Sequence, residues 1–255
     1  MSPEEIAAYI GAAAWLPQIT SWIYKSVSKP SLKLISSPTL ELGYTTLGPI
    51  INLTSSISAE RRDALIDKIE LQVVHEKGEK RILTWSFLNE KQQEMRNLKG
   101  ETVEITKNQT AIALKVPTIA LVEKLIGFQD IEFQMNFKLH INKIAELQSF
   151  LKKDNPNPSE KLFASKEFSD FLDFFKNQMY WKEGKYNLSV VIREVRLRNP
   201  YIENFCFSLS KSDVDRLHEN CSKLAKDLRV SLGVSTDESD LPKWNWVYPH
   251  VMPIN

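Results

Sequence analysis

Apolar residues follow three patterns along this chain, and the first is a run of nineteen residues, 6–24, without a formal charge. Glu4 and Glu5 precede the run, and Lys25 follows it. A membrane-spanning helix needs about 20 mostly apolar residues, so the run is long enough. No polar stripe recurs at the helical period, which argues against a helix lying flat on a membrane. The run predicts a transmembrane helix, and the alternative is a helix packed against the domain or a partner subunit.

The composition of the run is typical of a single-pass membrane anchor. Small residues four positions apart allow close helix packing, and tryptophans near its end suit a headgroup boundary. Three lysines follow the run, and by the positive-inside tendency they place the main domain in the cytoplasm; they are Lys25, Lys29 and Lys33. We expect an inner or plasma membrane location, with a soluble cytoplasmic protein as the alternative. The helix residues expected to govern insertion and self-association are Ala7, Gly11, Trp15, Pro17 and Trp22.

The second pattern is an alternation of apolar and polar residues between about residues 30 and 210. Around residues 69–87 it predicts a hairpin, with a turn at 76–79 between two alternating segments. The most regular alternation runs from Ile131 to His140 and predicts a strand with one buried face. Several such segments joined by tight turns indicate an antiparallel sheet, and we expect an immunoglobulin-like β-sandwich.

The third pattern is helical spacing of apolar residues. It predicts a helical insertion at about 141–180 and a C-terminal helix at about 212–230. The tail that follows contains Trp244 and Trp246, and we expect it to dock on the domain, on a partner or on the membrane surface. We therefore divide the chain into an N-terminal helix and linker, 1–29, and one β-sandwich domain with helical additions, 30–255.

Composition and charge exclude several classes of function. The net charge of +1 is not that of a nucleic-acid-binding protein, and eight glycines leave little material for a phosphate-binding loop. The two cysteines do not form a disulfide framework, and the four histidines lie in four different predicted elements without metal-ligand spacing. We expect no catalytic site, no metal and no cofactor.

Three arginines form a local cluster of like charge within one predicted strand and just after it. Arg193, Arg196 and Arg198 could contact a partner or lipid headgroups, as could Trp244 and Trp246 of the tail. The alternative for the arginines is an exposed sheet face of mixed charge, because Glu194 lies among them.

The sequence therefore predicts a non-enzymatic, membrane-anchored binding or scaffolding module that faces a bacterial-type cytoplasm. Its expected partners are a lipid membrane, through residues 6–24, and a protein, which includes a second copy of the chain. Two alternatives stay open. One is an oligomeric effector that perturbs the membrane when its soluble domain senses a signal, and the other is a soluble subunit whose first helix lies in a partner.

Overall fold

The computed structural model describes residues 13–24, 28–96, 102–154, 158–231 and 243–254. Helix α1 covers residues 13–24, and the other helices are α2 (Ile131–Asp154), α3 (Pro158–Phe163), α4 (Lys166–Asn177) and α5 (Lys211–Ser231). The strands are β1 (Ser31–Thr45), β2 (Gly48–Glu60), β3 (Ala64–His75), β4 (Lys80–Arg96), β5 (Thr102–Thr110), β6 (Leu114–Val116), β7 (Val122–Gln129), β8 (Gly184–Glu194), β9 (Tyr201–Leu209), β10 (Trp246–Val247) and β11 (Met252–Pro253).

All of these strands belong to one curved antiparallel sheet. Its order is β10-β1-β2-β7-β4-β3-β8-β9-β11, with β5 paired to β4 and β6 paired to β3. The prediction of a mainly β, antiparallel fold with added helices is confirmed. The finer prediction of an immunoglobulin-like sandwich is not confirmed, because the described strands are hydrogen bonded into a single half-barrel.

The C-terminal tail joins the two edges of this sheet. Its first part pairs with β1, where Val247 lies opposite Leu42. Its second part pairs with β9 at the other edge, where Met252 lies opposite Cys206. Between these two points the amide of Val251 donates to the carbonyl of Pro38, in the middle of β1, at 2.8 Å. The sheet therefore curls until one short segment reaches both of its edges.

Helices α2 to α5 cover one end of the half-barrel, which we call the cap end. Strands β1, β3, β7 and β9 all finish there, as their register shows. Aromatic side chains from the helices fill the concave side of the sheet: the rings of Tyr44 and Phe175 lie 4.5 Å apart, and Phe133 meets both. The hydroxyl of Tyr44 donates to the carbonyl of Phe175, so the buried phenol is satisfied.

The predicted strand from Ile131 to His140 is wrong, because these residues form the first part of α2. Asp130 begins the helix by accepting the amide of Phe133 at 3.0 Å, as a helix-capping carboxylate does. The alternation misled because it also places residues at four-residue spacing on common helix faces. One of these faces is exposed, with Met135 at its centre, while Phe133 is buried under the cap.

Two further stretches differ from what their sequence predicts. Ile119, Val122 and Ile126 lie near helical spacing and predict a short helix between Pro117 and Gly127, but this segment has no helix and β7 begins within it at Val122. The polar residues 89–100 predict a helical turn or a loop, but the chain is strand as far as Arg96 because β4 continues. The C-terminal helix lies within one residue of its predicted bounds at each end.

Candidate functional site

The opposite end of the half-barrel, which we call the base end, is built from three connections. These are the turn between β2 and β3, the segment 117–121 after β6, and residues 195–200 between β8 and β9. They meet because β3 pairs with β6 on one side and with β8 on the other. Residues that are distant in sequence thus converge at one end of β3.

Asp63, at the start of β3, holds the β6 connection in place. Its Oδ1 accepts the backbone amide of Thr118 at 3.0 Å and the hydroxyl of the same residue at 3.3 Å. Lys115 Nζ lies 3.5 Å from the other carboxylate oxygen. The Thr118 amide and, more weakly, Lys115 lower the pKa of Asp63 below its usual value. Asp63 is therefore ionised at neutral pH and partly offsets the charge of Lys115.

Glu194 fixes the β8 connection in the same way. Its side chain is fully buried and accepts the backbone amides of Leu65 at 3.2 Å and Arg196 at 2.7 Å. Burial would raise the pKa of this carboxyl, but these hydrogen bonds, with one from Arg196 Nε at 3.0 Å, outweigh burial and lower it. The guanidinium also donates to the carbonyl of Asp63. Arg196 is therefore held in one orientation by two neighbours.

Arg61 lies in the turn between β2 and β3 with a φ of 70°. A non-glycine residue in this left-handed region is uncommon and stores local strain. The following residue, Arg62, donates its amide to the carbonyl of Glu60 at 2.8 Å and so closes the turn. The side chain of Arg61 is exposed and forms no ion pair with the residues that the structure describes.

These groups surround an open cavity of about 590 Å³. Four of the lining side chains are cationic and one is a carboxylate; the lining residues are Trp22, Arg61, Arg62, Asp63, Lys115, Thr118 and Arg196. A cavity with this excess of guanidinium and ammonium groups suits an anion with several oxygen atoms, because both groups donate charge-assisted hydrogen bonds.

Exposed apolar side chains stand beside the cavity. Ile119 is 97% exposed and Leu121 is 59% exposed, both in the connection after Thr118. Val195 is 58% exposed, next to Arg196, and Leu65 pairs with Lys115 across the sheet. Exposed apolar residues therefore neighbour cationic residues at the base end, in sequence or across the sheet. A cluster of exposed apolar residues of this kind marks a surface that contacts another molecule or a membrane.

Helix α1 adds further apolar surface at this end. All twelve of its described residues are exposed, and six of them are large and apolar, with exposures from 49% to 71%. Trp22 lines the cavity and so connects the helix to the base end. In the part of the chain that the structure describes, no helix has the combined length and hydropathy of a membrane span.

The residues predicted from sequence fall in different places. Arg196 and Trp22 line the cavity, whereas Arg193 and Arg198 are exposed outside it. Trp15 and Pro17 are exposed on α1, and Ala7 and Gly11 lie outside the described residues. The structure thus brings Trp22 and Arg196 together.

Trp244 and Trp246 lie far from the cavity, in the part of the tail that pairs near the cap end. Both are half-buried, and the ring of Trp246 covers Gly43 so closely that a Cβ there would lie 2.6 Å from it. Asn220, buried in α5, fixes this segment by bonding both the amide and the carbonyl of Asn245, at 2.8 and 2.9 Å.

Sequence reasoning missed Arg61, Asp63, Lys115 and Thr118. Lys115 lies in the three-residue strand β6 and the other three lie in connections between strands, and nothing local distinguishes any of them from an ordinary surface residue. The available signal was the Arg-Arg-Asp triplet at 61–63, which stands between two strands of period two. Only the pairing of β3 with both β6 and β8 shows that these stretches meet.

A second cavity of about 500 Å³ lies between α2 and α4, and its charged lining residues carry both signs. His140 borders it with its ring stacked 4.7 Å from Phe174, and burial, with a smaller effect of Lys143, lowers the pKa of His140. Burial also raises the pKa of the Cys221 thiol to about 11, so this sulfur is protonated at neutral pH. Within the described ranges, no three His, Cys, Asp or Glu side chains are grouped as metal ligands.

Comparison of the chain with protein-family models, with curated proteins and with solved structures finds no match.

Proposed function

We propose that this protein is a non-enzymatic, membrane-anchored binding or scaffolding module. Residues 6–24 form its single membrane segment, and the half-barrel stands on the cytoplasmic surface with its base end toward the lipid. Like a β-sandwich, the curved sheet is a rigid frame, and the loops between its strands lie at its two ends, where they can contact partners. The observation that carries the proposal is that every described residue of α1 is exposed.

Exposure of α1 in water is energetically costly. Burial of a large apolar side chain is worth about 1.5–3 kcal/mol, and six such side chains on α1 are exposed. Among the described residues, the cavity that Trp22 lines is not an apolar groove for the helix. The other side chains that line this cavity are charged or carry a hydroxyl group. A lipid phase or a partner would remove this cost.

The charges at the base end favour lipid over a protein groove. Cationic side chains surround the point where α1 reaches the domain, and three lysines at positions 25–33 add to them in sequence. The cytoplasmic leaflet carries anionic lipid and attracts basic residues next to a membrane segment. The same charges therefore support both anchoring and the orientation of the domain.

Reconstitution of the full chain into vesicles of neutral phosphatidylcholine tests the anchor without help from lipid charge. We expect the protein to float with the vesicles and to resist a carbonate wash. Ile19→Lys should lower the bound-to-free ratio by up to roughly a hundredfold, because a lysine costs about 3 kcal/mol at the centre of a membrane helix and Ile19 lies four residues from the centre of 6–24. Ile82→Lys is the matched control, since Ile19 and Ile82 are 49% and 48% exposed.

Folded wild-type protein that stays in the aqueous fraction would overturn the proposal and favour a subunit whose helix lies in a partner. Equal flotation of Ile19→Lys and Ile82→Lys would also count against insertion of α1. Dye trapped in the same vesicles separates anchoring from membrane perturbation, because a scaffold retains the dye and an effector of the alternative kind releases it.

A further inference from the structure

We propose that the cavity at the base end binds the phosphate of an anionic phospholipid headgroup, while Ile119 and Leu121 enter the interface beside it. This inference rests on the proposed membrane anchoring, and it names the lipid class that the anchored domain recognises. It assigns a ligand to residues from four separate segments, of which only Trp22 belongs to the anchor.

The cations of the cavity differ in how firmly they are held, and the difference suits a headgroup. Arg196 is fixed by Glu194 and by the Asp63 carbonyl, so little conformational entropy is lost when it binds an anion. Lys115 and Arg61 are less constrained: the Lys115 side chain is 70% exposed with one ion pair at 3.5 Å, and the Arg61 side chain is exposed on a turn. One oriented guanidinium with two adaptable cations can follow a phosphate in a fluid surface.

The hydrogen-bonding groups match the oxygen atoms of a phosphate diester. Arg196 and Arg61 supply planar guanidinium donors, and Lys115 supplies an ammonium group. The Asp63 carboxylate already accepts a hydrogen bond from Thr118 and forms an ion pair with Lys115. Its negative charge is therefore directed at the segment of β6 and the residues that follow it. An incoming anion therefore meets an excess of positive charge.

The surroundings of the cavity favour a lipid over a phosphate free in solution. Ile119 and Leu121 follow Thr118 directly and project apolar surface into water. A site for a soluble phosphate compound would gain nothing from such neighbours, whereas a lipid interface would bury them. Trp22 completes the arrangement, because an indole ring with an apolar body and a polar N–H suits the headgroup region.

Titration of the full chain in neutral detergent micelles tests the site independently of vesicle insertion. The probes are short-chain phosphatidylglycerol, short-chain phosphatidylcholine and inorganic phosphate without lipid. We expect phosphatidylglycerol to bind at least roughly tenfold more tightly than phosphatidylcholine, with a preference that weakens as salt is added.

The variant Arg61→Gln with Lys115→Gln should weaken phosphatidylglycerol binding roughly 25-fold, about fivefold for each cation, and leave phosphatidylcholine binding unchanged. The matched control is Lys77→Gln with Lys185→Gln, which removes two exposed lysines at the cap end. Circular dichroism of both variants should equal that of the wild type, because all four side chains are exposed.

Three results would overturn the headgroup site: equal affinity for the two lipids, a preference that persists in the Arg61/Lys115 variant, or inorganic phosphate that binds as tightly as phosphatidylglycerol. The last result would indicate a site for free phosphate. Failure of the anchor has a different signature, because the wild type would then prefer phosphatidylglycerol in micelles and still not float with neutral vesicles.

Discussion

The two ends of the half-barrel differ in how far their apolar side chains are exposed to solvent. At the cap end the aromatic rings of Tyr44, Phe133 and Phe175 are at most 2% exposed, and helices α2, α4 and α5 enclose them. At the base end Ile119 and Val195 are mostly exposed and stand among cationic side chains. The same sheet is therefore closed by its own chain at one end and open at the other.

Polar contacts differ between the ends as well. At the cap end two cations form ion pairs with carboxylates, Lys182 with Glu79 and Arg81 with Asp130. At the base end Asp63 and the buried Glu194 stand against a larger number of cations. The cap end therefore buries its apolar residues within the chain, while the base end leaves apolar surface and positive charge exposed.

The largest effect on stability is expected when a buried ring beneath the cap helices is removed and leaves a cavity. Phe175→Ala should lower the free energy of unfolding by about 3–5 kcal/mol, because it removes a fully buried ring from an aromatic cluster. Phe150→Ala is the control, since Phe150 is 64% exposed on α2. Urea unfolding followed by tryptophan fluorescence measures both, and similar losses would contradict the description of the cap end as the place where apolar residues are buried.

The next effect concerns the attachment of the tail to α5. Asn220→Ala should cost about 2–3 kcal/mol, because it leaves the amide and the carbonyl of Asn245 without their buried partner. Hydrogen exchange at Val247 should accelerate with it. Ser222→Ala is the control on the same helix, since its hydroxyl bonds only the local carbonyl of Glu219. Unchanged exchange in Asn220→Ala would show that strand pairing alone holds the tail.

A smaller effect on stability is expected at the base end, and it depends on pH. Glu194→Gln should cost about 1–2 kcal/mol at neutral pH through weaker bonds to Leu65 and Arg196. Since the fold holds the pKa of Glu194 below its ordinary value of 4.5, this stability is full above that value and is lost as the pH falls through the lowered pKa. The difference between wild type and variant should therefore shrink in acid.

Chemical unfolding at a series of pH values measures this dependence. Glu123→Gln is the control, because Glu123 is an exposed carboxylate of β7. A difference between wild type and Glu194→Gln that stays constant down to strongly acidic pH would show that Glu194 acts by packing rather than by charge.

The smallest effect on stability is expected from Asp63→Asn. This variant should also tighten binding of the anionic lipid, whereas the Arg61/Lys115 variant should weaken it. The carboxylate is partly exposed and its loss should change unfolding little, but the cavity becomes more positive. Phosphatidylglycerol binding should tighten, up to roughly fivefold, while phosphatidylcholine binding stays the same. Titration in neutral micelles measures the change. Weaker phosphatidylglycerol binding would indicate that Asp63 positions Lys115 rather than opposing the anion.

The fold was predictable where the sequence pattern has one interpretation. The hairpin of β3 and β4 was predicted because its apolar residues alternate on both sides of a turn, and Leu71 indeed lies opposite Leu83. The segment from Ile131 was misread because residues spaced by two and by four coincide over ten positions, so strand and helix both explain them. The packing of Phe133 among the aromatic rings at the cap end stabilises the helix.

The candidate site was predictable only in part. Two of its parts can be recognised from the local sequence. The run 6–24 is recognised by its length without a charge, and Arg196 by the two arginines near it. Arg61 and Lys115 could not be connected with them, since β3 and β6 are separated by the whole β4–β5 hairpin. The pairing of β3 with β6 and with β8 joins segments distant in sequence, and no local pattern encodes it.

The tail that joins both edges has a consequence for biosynthesis. Val247 leaves the ribosome about two hundred residues after Leu42, its partner in β1. At ordinary rates of translation this interval is about 10 to 40 s, during which one edge of β1 has no partner from its own chain. An uncovered strand edge is a template for other strands. This edge of β1 therefore stays open to a chaperone, or to a second nascent copy of the chain, for most of synthesis.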